Sequence, residues 1–469
     1  MSVDRKRQKL KWLLLLMVTL GLLFIWYGNY IELAKCTIPY SDYFQWTARY
    51  GEKLVNNSLK FKDYFESDGG EHIQPLVLIL TIKILKATGF DYGALVVWGL
   101  FTRCTIAALL SLYCFWNLNK IRLSFPDAYI CSVIVAFALL NFNQWEITTE
   151  SFSFGNTVRL TVYFISFVAS DRWISGIKKR GFKENIVYGC LLGVGLSCCT
   201  LSVGGGYFVG HIITIGIVFC YQLIKNFKDA QQYTVPLLLW SVTTLAGCVA
   251  YIALIYSGER QEAVTLSIDV LGIILGVVLY WGAAFIPIDY VADSYKAVLC
   301  AVVGTIALIT IFVLVCEYLY GKKEPSTNFP IYCIIYANVI AFVIATARIS
   351  AFSYDTMASS RYAIESTIGI VGVVWLLGNF IVANNVGIER RIFHMTCLAA
   401  IVVVLSFSAK YEITRAPYIR QYYDNLEIQL IDYQNCSDET LETISATDAE
   451  RARKCLAFLQ REHLSIFKQ

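Results

Sequence analysis

Eight ionisable residues stand at the margins of long apolar runs: Asp42, Glu71, His72, Glu146, Glu150, Arg159, Asp355 and Arg361. A charge at a bilayer boundary is costly unless it is paired or used, so each is a candidate for chemistry. Asp42 lies in Pro39-Tyr40-Ser41-Asp42-Tyr43-Phe44-Gln45-Trp46. It reads either as a solvated acid beside an interfacial aromatic belt, or as a general base or metal ligand tuned by partial burial. Glu71-His72 follows Gly69-Gly70, and His72, one of only four histidines, could neutralise an anionic group beside its carboxylate neighbour. The stretch Asn141-Phe142-Asn143-Gln144-Trp145-Glu146, with Glu150 after it, offers two acids, a Trp and several amides. Arg159, one turn into the next helix, reads as the ion-pair partner of Glu146 or Glu150, the competing view being that one of them is a second catalytic or substrate-binding acid and Arg159 lines the site. In Ser359-Ser360-Arg361-Tyr362, Arg361 could clamp a phosphate through two parallel hydrogen bonds while Tyr362 anchors at the interface. A snorkelling arginine at a helix entrance is the plainer reading.

The elements that must position these residues are membrane helices. Of 469 residues, 57% are apolar and only 16% charged, against about 25% charged in soluble domains. That excludes a soluble enzyme. A net charge of +4 is too small to point to nucleic acid. Arg5, Lys6, Arg7, Lys9 and Lys11 precede the first apolar run, so the N-terminus is expected in the cytoplasm and the first helix uncleaved. Most of the fifteen cysteines fall in apolar segments, where a thiol behaves as a small hydrophobe.

Threading the chain by length and charge gives an all-α polytopic membrane protein with about eleven transmembrane helices. Residues 1–410 form the transmembrane domain, with an outer-face loop at 32–92. The apolar run 75–88 is too short to span and reads as interfacial; 265–286, with Asp269 near its start and Pro287 after it, reads as re-entrant or interfacial. Residues 411–469 are polar, with apolar residues at helical spacing, and are expected as an extracytoplasmic helical cap. Within it Cys436 and Cys455 could pair in an oxidising compartment. This threading brings the eight ionisable residues to one membrane face.

Ser41-Asp42-Tyr43-Phe44-Gln45-Trp46, Glu71-His72, Gln144-Trp145-Glu146 and Ser360-Arg361-Tyr362 together resemble the motif order of a group of bacterial polytopic proteins. That group carries W-D-x-W, N-E-H-R, Q-W-E-N with W-G-F-Q, and S-R-Y. The layout also looks like the GT-C superfamily of membrane glycosyltransferases. Ser41 replaces the leading Trp, Gly70 and Ile73 stand where the group has Asn and Arg, and Ile147 follows Glu146 in place of Asn. The resemblance implies a bacterial inner-membrane enzyme that moves a sugar from a polyprenyl-phosphate donor to a cell-envelope glycan, lipid or protein. It implies Asp42 as base toward the acceptor hydroxyl, His72 (oriented by Glu71) and Arg361 on the leaving phosphate, and Glu146 positioning a substrate or a divalent metal. Gln144, Arg159 and Tyr362 would line the substrate site.

The residue types fit that chemistry on physical grounds as well: a lipid-phosphate leaving group needs a cation, an acceptor hydroxyl needs a base, and both must meet at a membrane face. A transporter or flippase for a lipid-linked glycan is the competing expectation. It calls for ionisable residues deeper in the bilayer, for which Arg103 and Asp269 are the candidates.

Overall fold

A computed structural model describes residues 3–65, 74–120, 124–225, 230–256, 269–286, 293–320, 327–349, 354–382, 388–445 and 447–468. Among them the only regular structure is helical. In chain order the α-helices are α1 (Val3–Ala34), α2 (Tyr43–Val55), α3 (Pro75–Thr88), α4 (Tyr92–Lys120), α5 (Phe125–Leu139), α6 (Trp145–Thr149), α7 (Phe152–Gly176), α8 (Phe182–Val203) and α9 (Phe208–Lys225). Then come α10 (Ala230–Tyr256), α11 (Val270–Ala283), α12 (Asp293–Tyr320), α13 (Phe329–Arg348), α14 (Ala363–Val382), α15 (Ile388–Ile431), α16 (Asp438–Ser445) and α17 (Ala449–Arg461).

Nine segments among the described residues are long and apolar enough to cross a bilayer: α1, α4, α5 with α6, α8, α9, α12, α13, α14 and α15. The chain is an all-α polytopic membrane protein. The other two expected spans fall on α7 and α10, helices of 25 and 27 residues. α7 is less apolar because it turns Arg159, Ser166 and Asp171 into the bundle. α3 and α11 have 14 residues each, about 21 Å of helix against a hydrocarbon core of about 30 Å. Pro75 opens α3, and Gly89 closes it in the left-handed conformation with φ 62° that a glycine takes without strain.

α14 is the central helix, with 89% of its apolar window buried, whereas α1 is peripheral, with 17%. α1, α5 and α15 run alongside one another in one direction, and α4 runs back against α1: Lys9 lies over the Trp116 ring and Tyr27 meets Arg103. α13 is antiparallel to α7, with Tyr336 against Tyr163 and Tyr332 against Phe167 at 5.5 Å between rings. Close backbone approach fixes α11 on α12, where Gly282 abuts the Cys300 backbone and Gly304 abuts Val278. In lipid such contact supplies dispersion that the hydrophobic effect cannot.

α15 has 44 residues, about 66 Å of helix, so it continues through residue 410 and projects well beyond the bilayer. α16 and α17 fold back from it onto α2. Gly51 of α2 makes room for the Phe458 ring, the Ser41 N–H donates to the Ile444 carbonyl at 2.8 Å, and Arg461 pairs with Glu52 at 2.7 Å. Leu456, Leu459 and Phe458 are buried there. In water each such side chain contributes about 1.5–3 kcal/mol, so this cap is held by ordinary apolar burial. Cys455 is buried and Cys436 half-buried, and both are free thiols, so the disulfide considered for the tail is not formed.

Candidate functional site

At one face of the bundle α6 and the turn after it meet the projecting half of α15, through Arg415 over the Trp145 ring and Tyr423 at Glu150. The turn before α6 is fixed by amides. Asn141 Oδ1 accepts from the Asn143 N–H at 3.1 Å, and both Asn141 and Asn143 donate to the Ala284 carbonyl, at 3.1 and 3.2 Å. Gln144 donates through Nε2 to Thr367 Oγ1 at 2.7 Å. These bonds hold α6 so that Glu146 meets the turn entering α14. There Ser360 Oγ donates to Glu146 Oε2 at 2.9 Å, and Arg361 Nε donates to Oε1. Both carboxylate oxygens are thereby used. The Arg361 side chain remains 54% exposed, and its two terminal nitrogens carry no hydrogen bond to a described residue.

Asp42, at the head of α2, is exposed and lies within electrostatic range of both Arg361 and Glu150. Its predecessor Ser41 is held at φ 54°, a left-handed conformation that costs a non-glycine residue, and the bond to Ile444 in the tail helps to hold it there. The cap therefore contributes to the placement of Asp42. It also contributes a side chain directly: Tyr423 of α15 donates to Glu150 Oε1 at 3.2 Å, with the Tyr40 ring edge-on to it at 5.7 Å.

Glu150 is only 2% exposed, and its Oε2 has no hydrogen-bond partner among the described residues. Burial first, and the Glu146 carboxylate second, push the Glu150 carboxyl well above the usual carboxylate range. Burial thus favours the protonated form of Glu150, while Asp42 stands at the surface. Two acids with such different surroundings are suited to different tasks.

Beneath this face lies a second polar cluster. Arg159 pairs with Glu365 of α14, which also accepts from Tyr336 Oη at 2.6 Å, and the guanidinium lies over the Tyr207 ring at 3.8 Å. Tyr163 stacks on His211 at 4.6 Å, and His211 bonds Ser166. Glu365, in the first turn of α14, follows Arg361 by four residues, so the buried pair anchors the segment that presents Arg361.

The structure therefore brings together Asp42, Glu146 and Arg361. Gln144 is a buried strut, and Tyr362 is buried at the head of α14. Arg159 is turned inward, and its partner is Glu365 rather than Glu146 or Glu150. Glu71, His72 and the side chain of Asp355 lie outside the described residues. Sequence reasoning missed Glu365, Tyr336 and Tyr423. The only signal for Glu365 was its position one turn after Arg361; Tyr423 gave none, being one tyrosine of a polar tail. Among the described residues no group of three or more His, Cys, Asp or Glu is arranged to hold a metal ion. No protein-family model matches the chain, and no curated protein is significantly similar to it.

Proposed function

We infer that the chain is a GT-C-like glycosyltransferase that moves a sugar from a polyprenyl-phosphate donor to a cell-envelope glycan, lipid or protein. The observation that carries this reading is that an exposed acid, Asp42, lies within electrostatic range of a half-exposed guanidinium, Arg361, at one face of a membrane bundle. Glu146 and Ser360 hold that guanidinium, and its terminal nitrogens have no hydrogen bond to a described residue. In the reaction Asp42 takes the proton of the acceptor hydroxyl, whose oxygen attacks the anomeric carbon from the face opposite the leaving group. The bond from that carbon to the phosphate oxygen breaks, the electron pair leaves with the polyprenyl phosphate, and Arg361 neutralises it. Configuration inverts. Glu150 is buried, with its carboxyl pushed upward, and is less suited than the exposed Asp42 to take the proton.

The basic residues at the start of α1, with Arg172, Lys179 and Arg390, lie at the far ends of their helices from this site. The positive-inside rule supports a cytoplasmic far face, with the site and the C-terminal cap on the outer side; a bacterial inner membrane belongs to the same reading. Arg361 supplies the cation for the phosphate; were a divalent metal used, Asp42 would be the residue to hold it, and the ion would add positive charge against the donor phosphate.

The test is transfer of radiolabelled sugar from a panel of polyprenyl-phosphate donors, in membranes with matched amounts of wild type and Asp42→Asn. Transfer by wild type, falling at least about 100-fold in the variant, is the expected result. Equal transfer by both removes Asp42 as the base. A flippase for lipid-linked glycans is the second reading, favoured by Arg159, Glu365 and Arg103 inside the bundle. Movement of a fluorescent lipid-linked glycan across vesicles, insensitive to Asp42→Asn, would select it.

A further inference from the structure

Among the described residues, Arg103 is a buried arginine with two guanidinium nitrogens left without a partner. It lies on α4, eleven residues from the helix start at Tyr92, about 16 Å along the axis, and is only 1% exposed. Among the described residues it has no ion pair and one hydrogen bond, from Nη1 to Tyr27 Oη at 3.1 Å. Its Nε and Nη2 are buried without a partner. Those two nitrogens form one edge of the guanidinium fork, the edge that takes two oxygens of a phosphate or carboxylate in parallel. A buried guanidinium with that edge open is strongly unfavourable in a bilayer unless something fills it.

The surroundings supply further donors. Tyr30 Oη is also buried without a hydrogen-bond partner, and Thr148 lies beside both the Tyr27 and Tyr30 hydroxyls. Glu412, an acid near Tyr30, bonds Arg415 at 3.5 Å and does not pair with Arg103. The seam between α1 and α4 faces lipid, with Leu22 and Ile25 exposed on one helix and Trp98 and Phe101 on the other. One residue above Tyr27, Gly28 meets only Leu100 across that seam, in ordinary contact. Arg103, Tyr27 and Tyr30 are each about 1% exposed, so a ligand coming from the lipid would have to part this seam.

We propose that Arg103, Tyr27 and Tyr30 form a buried anion site that takes the phosphate group of a lipid entering between α1 and α4. The two oxygens of the phosphate engage Nε and Nη2, and a third accepts from Tyr30 Oη. The site is distinct from the Asp42 and Arg361 face and stands whether or not the chain transfers sugar.

The test is the thermal unfolding of the purified full chain in neutral detergent. Dioleoyl phosphatidic acid, dioleoyl phosphatidylcholine or inorganic phosphate is added to wild type, Arg103→Gln and Tyr30→Phe. Phosphatidic acid is expected to raise the wild-type midpoint by about 4 °C or more beyond phosphatidylcholine. Arg103→Gln should be at least as stable as wild type without ligand and lose that rise, and Tyr30→Phe, which keeps the ring, should show a reduced one. A rise with inorganic phosphate alone, lost in Arg103→Gln, assigns the site to the free ion and overturns the lipid as its source. An equal response to phosphatidic acid and phosphatidylcholine without a phosphate effect, or a rise that persists in Arg103→Gln, overturns the site. If Arg103→Gln does not fold, Tyr30→Phe decides by the same comparison.

Discussion

Two long-range Arg–Glu pairs of the bundle lie at different depths. Glu146 and Arg361 meet at the membrane face with side chains 14% and 54% exposed, and Arg159 and Glu365 meet inside the bundle at 6% and 3%. At the face, Glu146 uses one edge of the guanidinium and leaves its terminal nitrogens free of described partners. Inside, Glu365 is closed on both sides, by Arg159 and by Tyr336, and Arg159 is covered by the Tyr207 ring. Burial makes a pair an anchor, because neither partner can be removed without stranding the other charge. Partial exposure makes a pair a holder, because the arginine can turn its remaining donors to a ligand.

The buried pair gives the largest expected effect. Glu365→Gln leaves the Arg159 charge uncompensated and should destabilise the protein by about 3–5 kcal/mol. The double replacement Arg159→Met with Glu365→Leu, which removes both charges, should recover most of that loss. Thermal unfolding in detergent measures both. A double variant no more stable than Glu365→Gln would show that the cluster holds the bundle through its hydrogen bonds with Tyr336 and not through charge balance.

The contrast between the two pairs was only half legible in the sequence. Pro75 and Gly89 mark α3 to within a residue, and the apolar runs locate the helices, because length and periodicity are local properties. Ser360, Arg361 and Glu146 were recognisable as candidates because each interrupts an apolar margin. Their pairing spans more than 200 residues and follows from helix packing that no local pattern carries. Arg159 shows the cost of arguing from nearness. Glu150 is nine positions away in the chain, yet α7 rotates Arg159 toward α14, where Glu365 waits. The tail misled in another way. Lys410, Glu412 and Arg415 read as the end of a membrane helix, whereas they continue α15 outward, and that continuation delivers Tyr423 to Glu150.

A pH experiment sharpens the comparison at an intermediate size of effect. Glu150, next to the exposed pair, has its carboxyl raised by burial and by Glu146, so the folded state binds more protons than the unfolded one above the ordinary glutamate range. The contribution of Glu150 to stability is complete below the unfolded value, near pH 4.5, and is lost as pH rises through its elevated folded value. Glu150→Gln removes that dependence, and its unfolding midpoint should fall less than the wild type's as pH rises from 5 to 8. A wild type whose midpoint has the same pH dependence as the variant's would mean that Glu150 ionises freely, and would make it a candidate base beside Asp42.

The smallest effect on stability is expected at the face itself. Arg361→Gln removes a cation whose side chain is more than half exposed and already solvated, and such pairs contribute about 0–1 kcal/mol. Its unfolding midpoint should lie within a few degrees of wild type, while sugar transfer falls as far as in Asp42→Asn. Arg361→Lys restores the charge without the fork. If Arg361 only balances Glu146, the lysine variant should transfer normally. If it receives the leaving phosphate through two parallel bonds, the lysine variant should keep its stability and recover little transfer. A large loss of stability in Arg361→Gln would instead class this pair with the buried one, and the distinction between anchor and holder would fail at the residue on which the proposed reaction depends.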